Sequence, residues 1–133
     1  MIRTAAECGL PFGKRVMSFN SRRAQELGKW AESRNKGDQF HAAVFRAYFV
    51  DGQNIGKMDV LTEIAASVGL DPREARDVIE HEHFRMAVES DWEYARSCGI
   101  AAVPTFAAVG RRLVGAQSYE ALKKLVTSPA MEV

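Results

Sequence analysis

Only one stretch of this chain reads as β-structure, and it begins at a proline. Val103-Pro104 leads into the apolar run Thr105 to Val109, Gly110-Arg111-Arg112 has the composition of a turn, and Leu113-Val114 supplies a second short strand. Proline cannot donate to a ladder, so it belongs at the first position or the edge of a strand, and a Gly-centred break between two apolar runs marks a hairpin. A two-stranded ribbon is marginal alone and leaves N–H and C=O groups unpaired along both edges. Either the extended segment Lys14 to Phe19 joins this sheet or a second copy of the chain does. We expect a homo-oligomer that covers the exposed edge, the alternative being a monomer whose helices shield the ribbon.

Everything else has helical periodicity. Met1 to Cys8 reads as the tail of a helix, broken by Gly9-Leu10-Pro11-Phe12-Gly13, after which Val16 and Phe19 are the expected anchors of an extended run. Asn20 or Ser21 caps a helix that sets Ala24, Leu27, Trp30 and Ala31 on one face, and Asn35-Lys36-Gly37 ends it. Asp38 opens a second, with Phe40, Val44, Ala47 and Tyr48 at helical spacing and Phe45 and Phe49 widening the stripe. A third runs through Leu61, Ile64, Ala65 and Val68 to Gly69, where Leu70 closes a C-terminal cap. Asp71-Pro72-Arg73-Glu74 combines an N-cap, a proline at the first helical position and a capping-box glutamate, ahead of Ala75, Val78 and Ile79. After a break near Glu80 to His83, Phe84, Val88, Trp92 and Ala95 line a fifth helix that Gly99 stops. Ser118 caps the last, with Leu122, Leu125 and Val126 expected inward and Pro129 at its end.

Bulk composition narrows the function classes. Lys plus Arg exceed Asp plus Glu by 18 to 17, so no strong field recruits nucleic acid or a membrane surface. No apolar run approaches the roughly 18 residues of a spanning helix, and Met1-Ile2-Arg3-Thr4 lacks a secretory layout, so a cytoplasmic location is expected. The two cysteines, Cys8 and Cys98, are too far apart in sequence for a metal knuckle, and no Cys-x-x-Cys occurs. Each precedes a glycine, as at a helix C-terminus, where the dipole disfavours a thiolate. Both are expected to be packing thiols, and no catalytic residue is assigned.

Few other residues carry chemistry. A cis Val103-Pro104 bond would hold Ala102 and Val103 outward, where an extended peptide or thiol tripeptide can pair with their backbone; a trans proline would merely start an edge strand. In Glu80-His81-Glu82-His83, a continuous helix would set the imidazoles about 200° apart, too far to share a metal. A metal site would need that segment to be non-helical and His41 to be brought in by folding, so none is expected. Glu89, Asp91 and Glu93 read as a charged helix face rather than a paired acid and base. The doublets Arg22-Arg23 and Arg111-Arg112 are candidates for greeting an anionic tail such as a glutathione carboxylate.

Taken together, Asn20-Ser21-Arg22-Arg23-Ala24, the helix from Phe40 to Tyr48, Asn54-Ile55-Gly56, Gly69-Leu70-Asp71, Gly99 to Phe106 and Gly110 to Gln117 carry a likeness in order. The chain resembles the DsbA-like thioredoxin family, in the branch of FrnE-type disulfide oxidoreductases and, more distantly, 2-hydroxychromene-2-carboxylate isomerases and kappa-class glutathione transferases. The resemblance implies an α/β, mainly helical fold: a single domain over 1–133, with a helical insertion at 20–98 and the closing strand-strand-helix part of a thioredoxin-like fold at 99–128. It also implies that Ala102, Val103 and Pro104 form the substrate-facing loop, and that the family's opening strand and Cys-x-x-Cys helix would lie ahead of Met1. Three readings follow: a family member without redox turnover, a glutathione-binding isomerase or transferase relative, and a non-enzymatic oligomerising module. Glutathione is the one small-molecule ligand this implies; no metal is.

Overall fold

Seven helices and one tight hairpin are the regular elements among the described residues. The computed structural model describes residues 1–14 and 16–127, and among them shows α1 (Ile2–Glu7), α2 (Arg22–Ser33), α3 (Gly37–Phe49), α4 (Met58–Ser67), α5 (Pro72–Glu80), α6 (Arg85–Ser97), β1 (Thr105–Ala108), β2 (Arg111–Val114) and α7 (Tyr119–Thr127). They fall into two compact units, Met1–Ser90 and a second that starts at Asp91. This is a mainly helical α/β fold whose closing strand-strand-helix segment follows a helical insertion, as expected. Pro129 lies outside the described residues.

The first unit is built on the stripes read from periodicity. Leu27, Ala31, Phe40, Leu61, Ala65 and Ala75 are fully buried, and α2 packs against α3 and α5 while α4 packs against α3 and α5. Complete burial of Leu27, Phe40 or Leu61 removes enough apolar surface to contribute about 1.5–3 kcal/mol each. The helix ends follow local chemistry. Asn35, at φ 56°, closes α2 with Lys36 N–H donating to Ala31 O at 2.8 Å, and Gly69, at φ 83°, closes α4 with Leu70 N–H donating to Ala65 O at 3.0 Å.

Several details differ from the sequence expectation. At α2 the expected choice between Asn20 and Ser21 falls to Asn20, whose Oδ1 accepts the first free amide, from Arg22 at 2.9 Å. Asp71 Oδ1 caps α5 at Arg73 N as expected, but the Glu74 carboxylate is held by Arg34 at 3.0 Å, a cross-helix ion pair having replaced half of the capping box. Helix α3 starts one residue ahead of Asp38, at Gly37. Residues 16–19 form no strand, and among the described residues the sheet consists of β1 and β2. Val16 is exposed, whereas Phe19 packs edge-on to Tyr48 at 6.3 Å. What holds this segment is backbone approach: Gly13 N–H donates to Phe49 O at 2.8 Å, and a Cβ on Gly13 would stand 1.9 Å from Val50 O.

In the second unit, β1 and β2 pair antiparallel with Ala108 opposite Arg111, so the loop is Val109-Gly110 alone. Both have positive φ, 51° and 73°, as a two-residue turn matching the twist of the strands requires. Arg111 and Arg112 therefore belong to β2 and not to the turn. Ser118 Oγ caps α7 at Ala121 N, 3.2 Å away. Leu125 is buried and Leu122 half-buried, but Val126 is exposed, because Ala121 and not Val126 completes the inward face.

Candidate functional site

The loop that the sequence singles out is positioned at both ends by named contacts. Helix α6 stops at Gly99, at φ 67°, with Ile100 N–H donating to Ala95 O at 3.0 Å. From β2, Arg112 donates to Gly99 O at 2.8 Å and also to Cys98 O, satisfying carbonyls that the helix end leaves open. Beyond this anchor the Val103–Pro104 peptide bond is cis. The Thr105 hydroxyl donates to Ala102 O, and Gly115 N–H donates to Pro104 O at 2.8 Å, which extends the β1–β2 ladder by one backbone bond.

Val103 stands between these two engaged carbonyls. The residue is 90% exposed, and no hydrogen bond joins its own N–H or C=O to another described residue. Ala102 and Pro104 are exposed as well. Val103 thus keeps its backbone donor and acceptor without a partner among the described residues, on a frame fixed by Thr105, Gly115 and Arg112. Of these three framing residues the sequence singles out Arg112 alone, and for an anionic tail rather than for the carbonyls of Cys98 and Gly99 that it holds. Thr105 carries the one local signal, a hydroxyl three residues beyond the carbonyl it binds; the reach of Arg112 exists only after β2 has paired with β1.

Most other candidates are spoken for. Arg22 bridges Glu26 and Glu89, Arg23 donates to Gly56 O at 3.3 Å, Arg111 donates to Leu125 O at 3.2 Å, and Arg112 holds the end of α6. These arginines act on the fold itself. Glu93 pairs with Arg96 at 2.6 Å on an exposed face, and the Arg85 hydrogen bond holds the Glu89 carboxyl below its ordinary range. Cys98 is half-buried, but Cys8 is exposed at the end of α1, so only one of the two cysteines fits the packing role. His41 lies with Glu32 at 3.2 Å; His81 and His83, by contrast, converge on Asp77 because the chain leaves the helix at Glu80. A separate apolar groove of about 350 Å³ in the first unit is lined by Phe19, Val44, Phe45, Tyr48, Phe49 and Ile55.

Comparison with known proteins places these features in context. Residues 1–127 match the family model described as the DSBA-like thioredoxin domain. The chain is 33% identical over 102 residues to YwbO of Bacillus subtilis (strain 168), an uncharacterized protein, in a match covering 74% of this chain and 50% of YwbO. Two solved structures of the cytosolic disulfide reductase DsbM from Pseudomonas aeruginosa, one of them with GSH, share 27% identity with it. They superpose with TM-scores of 0.66 and 0.65, over 95% of this chain and 66% of theirs. A structure from Nitrosomonas europaea, with 17% identity and a TM-score of 0.71 over 93% of this chain and 67% of its own, shares the fold. This chain therefore spans half the length of YwbO and about two thirds of the solved structures.

Proposed function

The chain belongs to the family of DSBA-like thioredoxin domains, and from that premise we propose that it is a glutathione-binding member whose Ala102-Val103-Pro104 loop takes the tripeptide by backbone pairing. The observation that carries this reading is Val103: an exposed residue whose N–H and C=O bond no other described residue, fixed between the engaged carbonyls of Ala102 and Pro104. An extended peptide laid along such a residue gains main-chain hydrogen bonds without needing a matching side chain. The structure of DsbM with GSH, at 27% identity and a TM-score of 0.66, supports the choice of tripeptide.

Binding and exchange are separable here. Thiol–disulfide exchange needs an accessible thiolate and a second thiol to resolve the mixed disulfide. These 133 residues hold Cys8 and Cys98 and no Cys-x-x-Cys, so the proposal assigns this polypeptide recognition of a thiol substrate and no redox turnover of its own. Within the family we favour the FrnE-type branch on Gly115-Ala116-Gln117. A cytoplasmic location and self-association through the ribbon remain part of the same reading; among the described residues each strand has one partner in the sheet, which leaves an edge on either side.

The test is titration calorimetry with reduced glutathione. Saturable binding is expected at a Kd on the order of 1 mM or tighter. Val103→Asp, which sets a carboxylate against an anionic ligand at an exposed position, should weaken it about tenfold. Absence of heat, or equal affinity in the variant, would overturn the assignment. Insulin reduction that disappears in Cys8→Ser or Cys98→Ser would overturn the separation of binding from turnover, and light scattering that finds monomer only would remove the oligomer.

A further inference from the structure

We propose that Asp77, His81 and His83 form a binding site for a divalent transition-metal ion of the zinc class at the end of α5. Two features bring the three side chains together. Asp77 and His81 are four residues apart and share a helix face, with His81 Nδ1 3.0 Å from Asp77 Oδ1. His83 would point away on a continued helix. Instead α5 ends at Glu80, Glu82 adopts φ 49°, and His83 N–H donates back to Val78 O at 3.2 Å. That reversal sets His83 Nε2 3.7 Å from Asp77 Oδ2 and the two imidazole centroids 5.6 Å apart.

The ligand atoms of the three residues all lie within 4.8 Å of one another. Tetrahedral zinc with bonds of about 2.0–2.1 Å needs donors roughly 3.3 Å apart. Small rotations of exposed side chains close that difference, at the loss of the 3.1 Å contact between His81 Nδ1 and Asp77 O. Arg76 does not compete for the carboxylate, since it donates to Asp59 at 2.7 Å and lies 3.8 Å from Glu80. The donor set selects the metal: two imidazoles and one carboxylate suit zinc and its neighbours, whereas magnesium and calcium require oxygen. Position favours a cation too, because the site lies at the negative end of the α5 dipole. Asp77, His81 and His83 are each about half exposed, so the ion would keep open positions for water.

The experiment is a titration of ZnCl₂ into the full chain carrying Cys8→Ser, which removes the exposed thiol, followed by calorimetry and thermal unfolding. One site per chain is expected, with a Kd of roughly micromolar and a zinc-dependent rise in Tm. Asp77→Asn, His81→Ala and His83→Ala should each weaken binding about tenfold or more and abolish the Tm rise, while MgCl₂ gives neither effect. These are surface substitutions, and far-UV circular dichroism verifies that each variant folds. No saturable binding up to about 1 mM zinc, or binding unchanged in all three variants, would overturn the site.

Discussion

Arg22 and Glu26 sit one helical turn apart on α2, with the Arg22 Nε 3.4 Å from a carboxylate that is almost wholly buried, while the same guanidinium donates to Glu89. Burial pushes the Glu26 carboxyl above its ordinary value of 4.5; Arg22 draws it back, and the charge of Glu82 adds to the rise. A carboxyl raised in the native state holds its proton longer there than in the unfolded chain. Its charged form therefore costs stability, and that cost grows as pH rises from the ordinary value through the raised one. Glu26→Gln should be neutral to stabilising by about 1 kcal/mol at pH 7, with the gain vanishing below about pH 4. Arg22→Ala should instead destabilise by roughly 2 kcal/mol, because it strands a buried charge. Urea unfolding at the two pH values checks both signs.

On α3, Phe40 and Phe45 have the same side chain and opposite surroundings. Phe40 is fully buried and Phe45 is 60% exposed. Phe40→Ala should cost about 3–5 kcal/mol by emptying the centre of the first unit. Phe45→Ala should stay within about 0.5 kcal/mol. Equal losses in equilibrium unfolding would contradict the core described above.

The start of α5 separates two roles that a capping box would make equal. Asp71→Ala removes the acceptor for Arg73 N–H and should cost about 1 kcal/mol. Glu74→Ala breaks only a half-exposed pair with Arg34, and its effect should lie below about 0.5 kcal/mol. A larger loss at Glu74 than at Asp71 would restore the capping box.

Val109 is a β-branched residue at φ 51°, in a turn that favours Asn-Gly. Val109→Asn should stabilise the hairpin by about 1 kcal/mol, since the replacement tolerates that conformation and gives up a side chain already 45% exposed. Slower hydrogen exchange at Phe106 and Leu113 is the expected readout; faster exchange would show that the valine side chain matters more than its backbone.

Local patterning alone determined the helices, their apolar stripes and most of their ends, because capping and periodicity act over four or five residues: Ala24, Leu27, Trp30 and Ala31 are buried as their spacing requires, and Gly69 and Asp71 end and start helices where composition places them. The sequence also marked Ala102-Val103-Pro104 as the loop worth attention. Tertiary structure decided the rest, where partners come from distant positions or where the backbone reverses. Glu74 went to Arg34 rather than to its own cap, Arg112 reached back to the end of α6, and the strand register moved Arg111 and Arg112 out of the turn. His81 and His83 converged on Asp77 for the same reason, since a helix repeat places them apart and only the left-handed turn at Glu82 brings them together.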